Sequence, residues 1–300
     1  MQKIIGMAFL MLGAQFVQAC DICGCAASGS QLGILPQLNK HFVGYQYQFS
    51  RFTSLPHGSV EGDKPTQETF HTHQLWTRFV VRKRLQVFAF LPYKVTIRNT
   101  EKETTKVGGL SDITLLSNII LFNTSQNATR PIKQALQLSA GIKLPTGKSD
   151  VVQNGLMLHN NMQPGTGSFD IPMNLVYTMR YKSFGTNAEF NFTKNGSNKR
   201  HFQYGNRTAT TLRAFIWNEF KKVSLLPNLG ITYEYARQDR QNAVIQDFTG
   251  GENVLAQFGL DTYYQHFGIN LLFQKSVYQH IGDGHINNRP RMTANFIYLF

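Results

Sequence analysis

The chain holds 300 residues with a formal charge of +13, 42% hydrophobic, 12% aromatic and 16% charged residues, at a mean hydropathy of −0.26. After the first twenty positions no stretch approaches the roughly 18 uninterrupted apolar residues that a spanning helix needs, which excludes a bundle of membrane helices. The basic residues are scattered and make no patch beside stacking aromatics, which speaks against nucleic acid as a partner. The 23 Phe, 12 Tyr and 25 Gly against only 2 Trp suit strands better than helices.

The chain opens with Lys3, a mostly apolar stretch from Ile4 to Val17, and small residues at cleavage-site spacing in Val17-Gln18-Ala19. Residues 1–19 therefore read as an export signal, with a mature chain beginning at Cys20. The 3 cysteines stand together as Cys20-Asp21-Ile22-Cys23-Gly24-Cys25. Three uses stay open. Three thiolates at this spacing suit a soft ion such as Cu(I) or Zn(II). Val17-Gln18-Ala19-Cys20 loosely resembles a lipoprotein box, which would make Cys20 a lipidated residue. A Cys20–Cys23 disulfide suits an oxidising compartment. Residues 26–37, with Gly29, Gly33 and Pro36, carry no long period. With the cysteines they form an arm, 20–37, that either stays in the periplasm or plugs a barrel mouth.

From residue 38 to the end the pattern has period two. Val43, Tyr45, Tyr47 and Phe49 alternate with Gly44, Gln46, Gln48 and Ser50; Leu136, Leu138, Ala140, Ile142 and Leu144 face away from Gln137, Ser139, Gly141 and Lys143; Phe267, Ile269, Leu271 and Phe273 continue the theme. Successive side chains of a strand point to opposite faces, so each run is apolar on one side and polar on the other. Twelve such runs are predicted, at 42–52, 69–82, 86–98, 110–123, 133–146, 168–182, 184–194, 205–220, 223–237, 252–264, 266–279 and 289–300. Most exceed the length of about 9–11 residues with which a tilted strand crosses a bilayer. An open sheet in lipid would leave its edges unsatisfied, so residues 38–300 are expected to close into an all-β, antiparallel transmembrane barrel. Long gaps at 53–68, 99–109, 147–167, 195–204, 238–251 and 280–288 alternate with inner turns near 83–85, 124–132, 183, 221–222 and 265. Alternating long outer loops and tight inner turns are what a barrel with both termini in the periplasm shows.

In the last run Met292, Ala294, Phe296, Tyr298 and Phe300 share one face against Arg291, Thr293 and Asn295. A final strand ending on Phe resembles the signature by which the barrel-insertion machinery of the bacterial outer membrane takes its clients. Outer-membrane lipid and that machinery are thus the expected partners, beside a small solute.

Three patches carry a resemblance: Gly109-Leu110-Ser111-Asp112-Ile113-Thr114-Leu115, Leu138-Ser139-Ala140-Gly141-Ile142-Lys143-Leu144-Pro145-Thr146-Gly147-Lys148, and Pro164-Gly165-Thr166-Gly167-Ser168-Phe169-Asp170. They resemble the outer-membrane barrels catalogued as phenol meta-pathway degradation proteins, over about residues 105–300. The resemblance implies a transporter-like barrel that passes small solutes, some of them aromatic, and it carries no catalytic residues to transfer.

Alternation places Arg78, Lys94, Arg98, Lys143, Arg180 and Arg291 in the lumen, opposite Asp112, Glu189, Glu234 and Asp261. Rings of basic side chains select anions; alternatively the charges pair and fill the interior. Twelve strands enclose little more than the eight-strand barrels that side chains alone can fill, so a narrow channel is expected. His71 and His73 share a strand face at about 7 Å spacing, as a metal contact or as interfacial side chains, and His159 in the third outer loop is equally open. Enzyme activity is not expected. Gly141 to Ser149 has five residues between Gly141 and Gly147 where a phosphate loop requires four, and His57 and Ser59 fall in a loop with no third group to orient the histidine. The reading is an outer-membrane channel for small solutes, anionic or aromatic, with a soft-metal-handling barrel built on Cys20, Cys23 and Cys25 as the alternative.

Overall fold

The computed structural model describes residues 40–54, 65–125, 127 and 129–300. The export signal 1–19, the arm 20–37 with its cysteines, and the His57–Ser59 pair lie outside the described residues.

Twelve long strands follow one another: β1 (Phe42–Ser54), β2 (Thr66–Arg82), β3 (Leu85–Asn99), β4 (Thr104–Leu110, resuming as Ile113–Asn123), β5 (Ile132–Leu144), β6 (Ile171–Tyr181), β7 (Phe184–Lys194), β8 (Arg207–Ile216, then Asn218–Phe220), β9 (Val223–Ala236), β10 (Gly251–Tyr264), β11 (Phe267–Ile281) and β12 (Ile286–Asn288, then Arg291–Leu299). Each pairs antiparallel with its predecessor, and the last returns to the first through Phe42↔Leu299 to Phe49↔Met292. No edge is left open. At the seam the Phe300 backbone N–H donates to the His41 carbonyl at 3.0 Å, and the two rings stack 5.6 Å apart. The fold is a closed antiparallel barrel, and among the described residues no helix is long and apolar enough to cross a membrane.

Two predicted loops are shorter than the sequence suggested. The gap read at 99–109 contains the start of β4, because Asn99↔Thr104 to Tyr93↔Leu110 extend the β3–β4 hairpin. This stretch projects beyond the apolar belt, so it needs no greasy face and its Thr, Lys and Glu mimic a loop. The gap read at 280–288 shrinks to 282–285. Val277 is an extra residue between Val254↔Tyr278 and Leu255↔Ser276, and such a bulge shifts the alternation by one, hiding the strand's continuation to Ile281. The inner turns stand close to their expected places, with Lys182, Lys221 and Gln265 in the left-handed region (φ 52°, 56° and 52°).

The wall is inverted relative to a soluble protein. Leu75, Phe79, Leu138, Leu212, Leu229, Phe258, Ile269 and Leu271 are exposed on its outside, whereas Gln48, Gln74, Asn118, Gln137, Asn174, Thr232 and Gln257 are buried within. Lipid is the solvent that reconciles both halves of this pattern. Leu229, midway along β9, is 63% exposed. Leu229→Arg is expected to destabilise the barrel refolded in lipid vesicles by about 2–4 kcal/mol, the penalty for arginine near the bilayer midplane. A denaturant titration showing no loss would contradict the lipid-facing assignment.

Candidate functional site

The lumen is layered along its axis. At the end where β1 begins and β12 ends, Phe42, Trp76, Phe88, Phe90, Leu116, Val176, Ile297 and Leu299 form one buried apolar cluster, beside a second of Phe215, Leu226 and Tyr263. The rings touch in sequence. Phe42 meets Trp76 edge-on at 4.5 Å, and Trp76 stacks on Phe90 at 5.9 Å. Phe90 then lies parallel to Phe88 at 6.2 Å. Such pairs add attraction beyond the area they bury. The guanidinium of Arg78 lies 4.9 Å from the Phe42 ring centre and donates twice to the Lys40 carbonyl, at 2.7 and 3.0 Å.

Above this aromatic floor lies a polar belt. Arg213 pairs with Glu189 at 3.1 Å, and Asn174 and Asn191 each donate to the same carboxylate at 3.0 Å. Arg291 forms a two-pronged contact with Glu234 at 2.8 and 3.2 Å. Asn118 donates to Gln86 at 2.9 Å and to Gln137 at 3.1 Å, and Gln257 accepts from Thr232 and Gln274, each at 3.1 Å.

The outer lumen is occupied by the loop between β5 and β6. Its residues 161–166 are buried. The lock is the Lys143 ammonium, which lies between Asp112, at 3.3 Å, and Asp170 and donates to Thr166 Oγ1 at 2.6 Å. Asp112 accepts the Thr166 and Gly147 backbone N–H groups at 2.8 and 2.9 Å, and the Ser168 hydroxyl donates to Asp170 at 2.9 Å. Gly147 and Gly165 let the loop close on itself: a Cβ on Gly165 would stand 2.6 Å from the Gly147 carbonyl carbon. Nearer the wall, Lys94 donates to the Asn161 carbonyl at 2.9 Å, Asn161 donates to Glu68 at 2.7 Å, and Arg98 lies 3.6 Å from Glu68. Within this network a small polar cavity of about 70 Å³ is lined by Lys94, Asp112, Lys143, Thr166, Asp170 and Arg207, among others. Loops 195–206 and 237–250 roof the mouth through a small sheet of Phe202–Gln203, Arg240–Gln241 and Val244–Ile245. They border a vestibule of about 410 Å³ lined by Tyr204, Tyr235, Arg237 and Arg240.

All six basic residues assigned to the lumen by alternation stand on its inner side, but no free basic ring forms. Arg98, Lys143 and Arg291 meet carboxylates, Lys94 meets backbone carbonyls, and Arg78 holds the chain at Lys40. Arg180 stacks over Trp217 at 4.4 Å. Alternation applied to β8 would also have found Arg213, which stands between Leu212 and Ala214. Glu68 lies in the stretch 53–68 that reads as loop, although β2 begins at Thr66; Asp170 lies inside the run predicted at 168–182, where alternation with Asn174 places it on the polar face. Most telling, the three patches that carried the family resemblance meet at one point: Asp112, Lys143 with Gly147, and Thr166 with Asp170 come from one patch each. Among the described residues no cluster of three His, Cys, Asp or Glu is placed to hold a metal. His71 and His73 point outward and bond Tyr47 and Tyr45 at 2.8 and 2.6 Å.

Two outcomes follow from the docked loop. Lys143→Met leaves two buried carboxylates without their cation, a loss of about 3–5 kcal/mol for a broken buried pair. Limited proteolysis should then cut between 147 and 168, and conductance in planar bilayers should rise. Burial, with the Arg98 charge second, lowers the His159 pKa from 6.5 to about 4. The undocked loop therefore binds a proton between those values that the docked loop refuses, so docking is strongest above pH 6.5 and weakens as pH falls toward 4. Protease sensitivity should rise over that interval in the wild type and not in His159→Gln.

No protein-family model matches the chain, and no curated protein sequence matches it. Among solved structures it is similar to the COG4313 outer membrane channel from Pseudomonas putida F1, at 12% identity and a TM-score of 0.66, over 90% of this chain and 98% of that one. The beta domain of the Bordetella autotransporter BrkA is similar at 12% identity and a TM-score of 0.50, over 86% of this chain and 99% of that one. The likeness is one of fold, and the fold is that of bacterial outer-membrane barrels.

Proposed function

We propose that the protein is an outer-membrane channel for small solutes, with uncharged and aromatic ones favoured over anions. The observation that carries this reading is the layered lumen, in which a docked polar loop and a charge-compensated belt overlie a floor of Phe42, Trp76, Phe88 and Phe90. Lumenal cations held by carboxylates create little net field for anions. A stack of aromatic faces, by contrast, offers a low-polarity surface over which a flat apolar solute moves without desolvation cost. Likeness to a solved outer-membrane channel supports the same reading, as does the sequence resemblance to barrels that pass aromatic solutes. The floor rings are packed against one another, so passage requires them to turn aside. The strand ending at Phe300 is the segment offered to the insertion machinery.

Trp76→Ala combined with Phe90→Ala is expected to raise single-channel conductance several-fold and to speed phenol entry into proteoliposomes. The reversal potential in a salt gradient should stay close to the unselective value. Unchanged conductance, or a strongly anion-selective wild type, would count against the proposal. The alternative, a barrel handling Cu(I) or Zn(II), rests on Cys20, Cys23 and Cys25 alone. Deleting residues 20–25 separates the two, since it spares conductance in a channel and abolishes metal uptake or resistance in a metal-handling barrel.

A further inference from the structure

Inside the barrel Arg98, Lys143, Arg213 and Arg291 meet carboxylates, whereas in one sector of the outer wall three cations meet none among the described residues. Arg51 on β1 faces outward between the buried lumenal residues Ser50 and Phe52, and Lys106 on β4 does so between Thr105 and Val107. Arg289, at the break in β12, follows the buried Asn288 and is exposed. The register puts the three on one row. Arg51 opposes Thr69, Thr69 opposes Ile97, Ile97 opposes Lys106, and the Arg289 N–H donates to the Arg51 carbonyl at 2.8 Å. Four strand spacings separate the ends, so the row is roughly 19 Å long.

None of the three cations forms an ion pair with a described residue, in contrast to Arg98, Lys143, Arg213 and Arg291 inside. Arg51 Nε is buried without a hydrogen-bond partner, and its guanidinium rests 5.5 Å from the Phe49 ring centre. Each cation lies within a few residues of the outer end of its hairpin. The outward positions beneath carry no charge: Phe49 under Arg51, Gly108 and then Leu110 under Lys106, and Met292 under Arg289. The row therefore marks the upper edge of the lipid-facing belt, where head groups begin. Two strands from Arg289, on β10, the outward carboxylate Glu252 is already held by Tyr233 and Tyr278 at 2.8 and 2.9 Å.

We infer that the Arg289–Arg51–Lys106 row is a docking surface for the phosphorylated sugar head group of an outer-leaflet glycolipid. Arginine and lysine without a carboxylate partner among the described residues, standing at that height, complement phosphate, and arginine can hold it with two parallel hydrogen bonds. The inference rests on the outer-membrane placement proposed above and is independent of what the lumen passes.

The test uses the full-length barrel in detergent micelles doped with bisphosphorylated lipid A, the same lipid A stripped of phosphate, or inorganic phosphate alone. Native mass spectrometry reads retained lipid. The variant Arg51→Gln/Lys106→Gln/Arg289→Gln should bind bisphosphorylated lipid A roughly a hundredfold more weakly, from the usual contribution of a cation at a charged membrane surface. Arg51→Lys/Arg289→Lys, which keeps the charges and loses the paired hydrogen bonds, should bind less tightly than the wild type and more tightly than the triple variant. If the triple variant fails the heat-shift gel assay for folded barrels, Lys106→Gln alone should still weaken binding roughly fivefold. Equal retention of dephosphorylated lipid A, displacement by equimolar inorganic phosphate, or unaltered binding in the variants would each overturn the inference. Conductance is measured on the same samples: lipid retained by a barrel that conducts nothing would sink the channel reading and leave this one standing.

Discussion

Closure of β12 onto β1 is the constraint from which the rest follows. In hydrocarbon an unpaired backbone N–H or carbonyl has no water to turn to, so a strand edge left open is prohibitive and the sheet must end where it begins. Once it closes, each strand has one face toward lipid and one toward a lumen of fixed girth. The outward stripe must be apolar. The inward stripe is freed from lipid but confined to a space that side chains can nearly fill.

That confinement explains why the interior is so fully bonded. Arg, Lys, Asp and Glu brought into a narrow lumen lose much of their water, and a charge so placed is tolerated only with a partner. The belt meets this with matched pairs, Arg213 with Glu189 and Arg291 with Glu234, whose remaining lone pairs are taken up by asparagines. Such pairs add little net stability; their effect is to fix side chains in one arrangement. The positive charge of the chain instead resides in inner turns such as Arg82-Lys83-Arg84 and Lys221-Lys222, and along the outer rim.

The same economy of space accounts for the contrast between the two ends. The loop ahead of β6 occupies the outer lumen through one lysine between two carboxylates, a contact sensitive to charge and hydration. The inner end is filled by uncharged rings packed edge-on and stacked. Opening the first would cost an electrostatic network; opening the second would cost the packing of the rings.

Much of this could be read directly from the residues. Strict alternation in runs such as Val43 to Ser50 and Phe267 to Phe273 specifies barrel strands because the side-chain period is two and lipid punishes any slip. The spacing of Lys221-Lys222 and of 265–266 marks inner turns for the same reason. Alternation also sorted Arg78, Lys94, Arg98, Lys143, Arg180 and Arg291 to the inside. It could not say what each would meet, since Asp112, Lys143 and Asp170 are far apart in sequence and converge only after three strands and a loop have been placed. Nor could it see the extra residue at Val277, whose single-step shift ends the pattern before the strand ends. The sequence by itself determined the closed barrel, because lipid imposes a local, repeating rule on each strand. The tertiary structure alone decided the plugged outer lumen, the paired belt and the row of outward cations, because pairing and exposure arise between strands, where no local rule reaches.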